Sequence, residues 1–221
     1  MKRRNLTTEP TFHGYPILTD KRHGLAADTR MLREIERQFD YAEDTKSKAF
    51  FFRFDLRFPS DMENVPGDNG HFRRFASAYQ KNLSRRGLSP QYVATREQAT
   101  TDAHQHYHML VMVDGQKIQN EYGLLKTAER LWENEVGLEA DGRHGLVFFC
   151  NRDKKTGELM HNGMMIDRNS HDCSIVKDRC FQRASYLAKE NTKNTPEGQR
   201  EFFASRLPAE YRPVKPPKKR S

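Results

Sequence analysis

Three histidines stand at alternate positions in "HQHYHMLVMV", residues 104 to 113. Alternate residues of a strand point to one side, about 7 Å apart along the chain. If the stretch is extended, His104, His106 and His108 share one face, and Tyr107, Met109, Val111 and Val113 take the other. Two imidazoles so spaced can converge on one divalent cation. Glu97 ends the preceding segment, "QYVATRE", and a hairpin would bring it beside the histidines. Two histidines and one carboxylate leave coordination positions open, which a catalytic metal needs. Taken singly, each residue has a plainer reading: histidines on a polar strand face, and a surface carboxylate paired with Arg96 or Arg53.

The elements that must hold these residues are legible from periodicity. Leu32, Ile35, Phe39 and Ala42 recur at helical spacing within residues 24 to 43. "KAFFFRFDLRFP" alternates: Phe50, Phe52, Phe54, Leu56 and Phe58 on one side, Phe51, Arg53, Asp55 and Arg57 on the other, a strand with one buried face. A helix over 71 to 86 buries Phe72, Phe75, Ala76, Tyr79 and Leu83; its other face carries Arg73, Arg74, Lys81, Arg85 and Arg86. Strands follow at 91 to 97 and 104 to 113, then a helix over 117 to 136 and a fourth long strand, "HGLVFFC". "NGMMID" reads as a short extra strand and 173 to 193 as a final helix. The order β-α-β-β-α-β is the ferredoxin-like split βαβ pattern. The predicted fold is α+β: an antiparallel sheet with both helices on one face and the other face open for a ligand or for the last helix. The chain divides into an N-terminal arm and helix (1–44), the sheet domain (45–195) and a basic, Pro-rich tail (196–221).

Composition narrows the partners. A net charge of +8 over 221 residues points to a polyanion, nucleic acid before an anionic membrane surface. No apolar run approaches the roughly 20 residues of a membrane span. The basic N-terminus has no apolar segment of the signal-peptide kind. Three cysteines without a CxxC pair fit a reducing cytoplasm.

"HYHMLV" resembles the His-hydrophobe-His motif of the HUH endonucleases, and Glu97 stands where replication initiators of that group place an acidic ligand. From "FFFRFDLRFP" through "YVATREQATTDAHQHYHMLVMV" to "RASYLAKENTK", roughly residues 45 to 195, the chain resembles the replication initiators of filamentous phages (inoviruses) and their prophage relatives. His104 with His106 is a second possible pair. The apolar run directly after His108 favours His106 and His108, as the family motif requires.

The resemblance implies a metal-dependent nickase and strand transferase for rolling-circle replication. Mg²⁺ or Mn²⁺ would sit on Glu97, His106 and His108, and a tyrosine would be the nucleophile. Tyr186 in "RASYLAKENTK" stands with Arg179, Gln182 and Lys189 on one polar arc of the final helix, and Tyr186 with Lys189 resembles the Tyr-x-x-Lys pattern of single-tyrosine initiators. Asp55 would orient a histidine from behind. Arg53, Arg57, Arg179 and Lys193 would contact DNA. The partners implied are single-stranded origin DNA and host replication proteins in a bacterial cytoplasm, with no membrane. No Walker A sequence occurs, so no helicase activity is expected.

Three other readings compete. A split-βαβ nucleic-acid-binding module without catalysis would need no metal, but the aromatic RNP sequence of RRM domains is absent. A mononuclear iron oxygenase shares the donor set but needs a small-substrate cavity, usually in a barrel of strands. Structural zinc on Cys173, Cys180 and His171 lacks the paired short loops of zinc fingers.

Overall fold

The computed structural model describes residues 5–98, 104–152, 156–190, 195–196 and 198–213. The chain opens with four two-residue strands, β1 (Leu6–Thr7), β2 (Thr11–Phe12), β3 (Tyr15–Pro16) and β4 (Ala27–Asp28). Helix α1 (Thr29–Thr45) follows, started by Asp28, whose carboxylate accepts the Arg30 backbone N–H. Next come β5 (Lys48–Leu56), α2 (Gly70–Arg85), β6 (Gln91–Glu97), β7 (His106–Asp114) and α3 (Tyr122–Glu135). The chain then forms β8 (Val147–Phe148), β9 (Met164–Asp167), α4 (Cys173–Ser185), a single 3₁₀ turn (Tyr186–Ala188) and β10 (Phe202–Ala204).

The main sheet runs β10-β6-β7-β5-β8, with β9 also on β5. Every pairing is antiparallel. The central order β6-β7-β5-β8 is the split βαβ arrangement expected from the sequence, and the fold is α+β. Tyr79, Phe75 and Trp132 from α2 and α3 cover one face, built on Phe50, Phe52, Phe54, Tyr107, Met109 and Val111.

The structure changes four expectations. The second face, expected to be open for a ligand or for the last helix, takes the last helix and α1 as well. Leu32, Ile35 and Phe39 of α1 and Cys180, Phe181 and Ala184 of α4 close on Phe51, Val93, Leu110 and Met112. β5 is therefore buried on both sides, with Phe51 at 0% exposure. Residue 45 marks no break in this packing, because α1 belongs to the same core. "HGLVFFC" gives only two strand residues, because Cys150 takes a left-handed backbone (φ 52) and β9 occupies the other half of the same β5 edge. The gap between β8 and β9 is filled by a side chain: Asn162 Nδ2 donates to the Arg53 carbonyl at 2.7 Å, and Asn162 Oδ1 accepts the Arg53 N–H at 2.9 Å. That amide does for Arg53 what a strand neighbour would do, so no backbone group of β5 is left bare there. Finally, the stretch expected as tail contributes the edge strand β10, paired with β6 from Phe202 opposite Thr95 to Ala204 opposite Val93.

Candidate active site

Alternation splits the second face into an apolar half and a polar half. On β5, Ala49 and Phe51 are followed by Arg53 and Asp55; on β7, Met112 and Leu110 are succeeded towards the strand's start by His108 and His106. Register brings the polar ends together: Asp55 lies opposite His108, and Glu97 opposite His106. Glu97, His106 and His108 each offer a ligand atom, and these atoms lie within 4.8 Å of one another. His108 is buried, with Nε2 hydrogen-bonded to Glu97 Oε2 and Nδ1 2.7 Å from Asp55 Oδ1. His106 Nε2 is 3.4 Å from Glu97 Oε2, and its side chain keeps 25% exposure, so the cluster opens to solvent on the His106 side.

His104 does not share that face. It precedes β7, and its ring lies 6.4 Å from Phe58, a member of the first core. Alternation fails for it because the strand begins only at His106.

Tyr186 was expected inside a helix running to residue 193; α4 stops at Ser185 and Tyr186 opens the 3₁₀ turn. In such a turn residues i and i+3 eclipse, and Lys189 Nζ lies 2.6 Å from Tyr186 Oη. The same ammonium is 2.8 Å from Glu97 Oε1. The Arg53 guanidinium carbon sits 4.5 Å from the Tyr186 ring centroid, and Arg53 also pairs with Asp55 at 3.0 Å. The N-terminal strands pin this turn. The Leu18 N–H donates to Ser185 Oγ at 2.8 Å, Glu190 N–H to the Ala26 carbonyl at 2.8 Å, and Ala27 bridges Lys189.

Charge in the cluster follows from these contacts. Burial acts to raise the Glu97 pKa, but hydrogen bonds from His106 and His108, the His108 charge and the Lys189 bond hold it far below the ordinary carboxylate range. Burial opposes the charge on Lys189, yet Glu97 and Tyr186 keep its pKa above the usual lysine value. Arg53 is likewise raised by Asp55 and Tyr186 against its burial. Cys150, 3.5 Å from Asp55, is pushed up to about 12 by burial first and by Asp55.

Of the other candidates, Arg57 is exposed and its guanidinium lies 5.9 Å from the Phe148 ring. Arg179 is exposed on α4; Lys193 lies outside the described residues. The arginine that α4 does direct to this region is Arg183, which donates to the carbonyls of Cys150 (3.0 Å) and His161 (2.8 Å) and to Asn162 Oδ1 (3.1 Å). Sequence reasoning missed Arg183 and Asn162. Only the i, i+3 relation of Arg183 to Tyr186 could have pointed to the former. Tyr107 points away, its hydroxyl donating to Asn69 Oδ1. The basic face of α2 lies across the sheet from the cluster. Cys173, Cys180 and His171 form no ligand group among the described residues; Cys180 is buried in the second core. Glu133, Asp141 and His144 do come close, but the Glu133 oxygens accept the N–H groups of Gly142 and His144 and so clamp that loop.

The model of the YagK/YfjJ C-terminal domain family matches residues 7–205, and the chain belongs to that family. The match takes in α1, the sheet and β10 together. No curated protein and no solved structure matches the chain. Among the described residues, no helix is long and apolar enough to cross a membrane.

Proposed function

We propose that the protein is a metal-dependent, single-tyrosine DNA strand transferase of the HUH type, which starts rolling-circle replication by nicking single-stranded origin DNA in a bacterial cytoplasm. One observation carries the reading: Tyr186 Oη, Lys189 Nζ and Glu97 form a continuous chain of contacts, 2.6 and 2.8 Å long, that ends on His106 and His108. Glu97, His106 and His108 would hold Mg²⁺ or Mn²⁺, and one carboxylate with two imidazoles suits such an ion. The bound ion would supply stabilisation of charge on the scissile phosphate.

The chain's own groups divide the remaining work. Tyr186 Oη attacks phosphorus: an O–P bond forms, the bond from phosphorus to the 3′ oxygen breaks, and the phenolic proton ends on that oxygen. The products are a 5′-phosphotyrosine and a free 3′-OH, which host polymerase would extend. The Lys189 ammonium stabilises the phenolate as it develops. Asp55 accepts from His108 Nδ1 and so turns Nε2 towards Glu97. Arg53, packed on the ring, fixes the attacking angle. A later 3′-OH attacks the phosphotyrosine and rejoins the strand without ATP, because the ester keeps the bond energy.

Incubation with single-stranded DNA and Mn²⁺, followed by a denaturing gel, tests this. The expected result is a covalent adduct that maps to the peptide "ASYLAK" and is lost in Tyr186→Phe, which keeps DNA binding. An adduct on another tyrosine refutes the nucleophile. Metal-independent binding without any adduct favours the non-catalytic module instead.

A further inference from the structure

The candidate nucleophile and the groups behind the candidate metal ligands ride on different elements, and a buried amide stands where those elements meet. Tyr186 follows directly on α4, whereas Arg53 and Asp55 belong to β5. Arg53 touches both sets: its guanidinium carbon is 4.5 Å from the Tyr186 ring centroid, and its Nη2 lies 2.9 Å from His108 Nδ1. The backbone of that same Arg53 is held by Asn162, which is 1% exposed.

Every hydrogen-bonding position of the Asn162 amide is filled. Oδ1 accepts the Arg53 N–H at 2.9 Å and Arg183 Nη2 at 3.1 Å. Nδ2 donates to the Arg53 carbonyl at 2.7 Å and to the Phe149 carbonyl. Two lone pairs and two N–H groups are all that an amide has. A strand neighbour would satisfy Arg53 but brings a single donor, and could not hold the Phe149 carbonyl as well. Arg183 is used as fully. Nη1 donates to the carbonyls of His161 (2.8 Å) and Asn162 (3.1 Å), Nη2 to the Cys150 carbonyl (3.0 Å) and to Asn162 Oδ1. None of these acceptors is charged, so the guanidinium serves as a four-point clamp. Arg183 stands three residues before Tyr186, and the path Arg183, Asn162, Arg53 therefore ties α4 to β5 one turn from the nucleophile.

We propose that Asn162 and Arg183 are positioning residues for strand transfer, a latch that locks α4 to β5 and thereby aims the Tyr186 hydroxyl at the metal cluster. This rests on reading the site as a strand-transfer centre, and it adds that the nucleophile is aimed from outside the cluster. The ligands do not depend on the latch. Glu97 and His106 are set by the β6–β7 register, and β5 keeps its pairing with β7 at Arg53 and Leu110. Losing the latch should therefore cost rate and spare binding. A reacting group misplaced by about 1 Å loses about 100-fold in rate.

The test follows adduct formation by the full chain with single-stranded DNA and Mn²⁺, per folded molecule, at rising DNA concentration. Asn162→Ala should lower the limiting rate by about tenfold to 100-fold, with the half-saturating DNA concentration and the affinity for Mn²⁺ alone unchanged within about twofold. Arg183→Lys keeps the charge but loses the fork, and should give the same split. It takes the place of Asn162→Ala should that variant fail to fold. An unchanged limiting rate in the folded variants overturns the latch. So does a loss confined to DNA affinity, which would make Arg183 a phosphate contact, and so does an equal loss of Mn²⁺ affinity, which would put the effect on the ligands. Fluorine NMR keeps the two readings apart. In a chain carrying fluorotyrosine, the Tyr186 signal, assigned by its absence in Tyr186→Phe, should shift in Asn162→Ala. A shifted signal with no adduct from the unaltered chain removes the strand-transfer reading and leaves the lock between α4 and β5. An adduct from the unaltered chain with an unmoved signal removes the latch alone.

Discussion

The second face of the sheet holds a lysine at each of its two ends, Lys46 buried and Lys189 half-buried, and β6 supplies a partner to both. At the apolar end, Lys46 donates to Gln91 Oε1 at 2.6 Å, among Phe39, Ala42, Ala49 and Met112. At the polar end, Lys189 meets Glu97. The first partner is a neutral amide, and burial lowers the Lys46 pKa to about 8, Asp114 opposing weakly. The second is a carboxylate, and the Lys189 pKa rises although partial burial opposes its charge. The difference shows that burial alone does not set the state of a charge. The partner decides whether the charge is a cost of folding or a fixed group held ready for chemistry.

The sharpest way to break the comparison is to damage the apolar end and look at the polar one. Phe51→Ala should cost about 3–5 kcal/mol in urea unfolding, the loss expected for a fully buried phenylalanine. The molecules that stay folded should still form adduct at the original rate. A parallel fall in adduct per folded molecule would show that the two ends are not separable.

The next effect lies in pH. Folded Lys46 releases its proton near pH 8, while the unfolded chain keeps it to about 10.5. Between those values the unfolded state binds more protons, so stability rises with pH, by about 3 kcal/mol for the whole window. Lys46→Met should lack that rise, and the difference between the two unfolding curves below pH 8 and above pH 10.5 measures it. Equal pH slopes would mean that Lys46 carries its charge at no cost.

Smaller changes should follow at the polar end. His106→Ala should weaken Mn²⁺ binding, followed by titration of the metal alone, by at least the 10–100-fold seen on losing even an outer partner of a ligand. His104→Ala should leave it unchanged, since that ring packs beside Phe58. Metal affinity that depends on His104 instead would move the site by one pair. The smallest effect belongs to the far face. Arg73→Gln with Lys81→Gln should alter stability by less than about 0.5 kcal/mol and leave cleavage intact, because α2 packs across the sheet from the cluster. A clear loss of DNA affinity in that variant would give the basic helix a role.

The sequence by itself determined what depends on short-range period. The alternation of β5 and β7 assigned Phe50 and Phe52 to one face and Arg53 and Asp55 to the other. A hairpin then had to bring Glu97 beside His106, as the register does. The 3.6-residue pattern found α1, α2 and α3 and their buried residues. Only tertiary structure decided which surfaces close on each other. The second face is covered because α1 and α4 both need an apolar floor, and Phe51, Leu110 and Met112 provide it. Tyr186 reaches Glu97 because α4 ends in a 3₁₀ turn that the N-terminal strands hold through Ser185, Lys189 and Glu190. Arg183, Asn162 and Cys150 met Arg53 and Asp55 for the same kind of reason. No periodicity links residues so far apart in the chain; only the free energy of burying and hydrogen-bonding them together does.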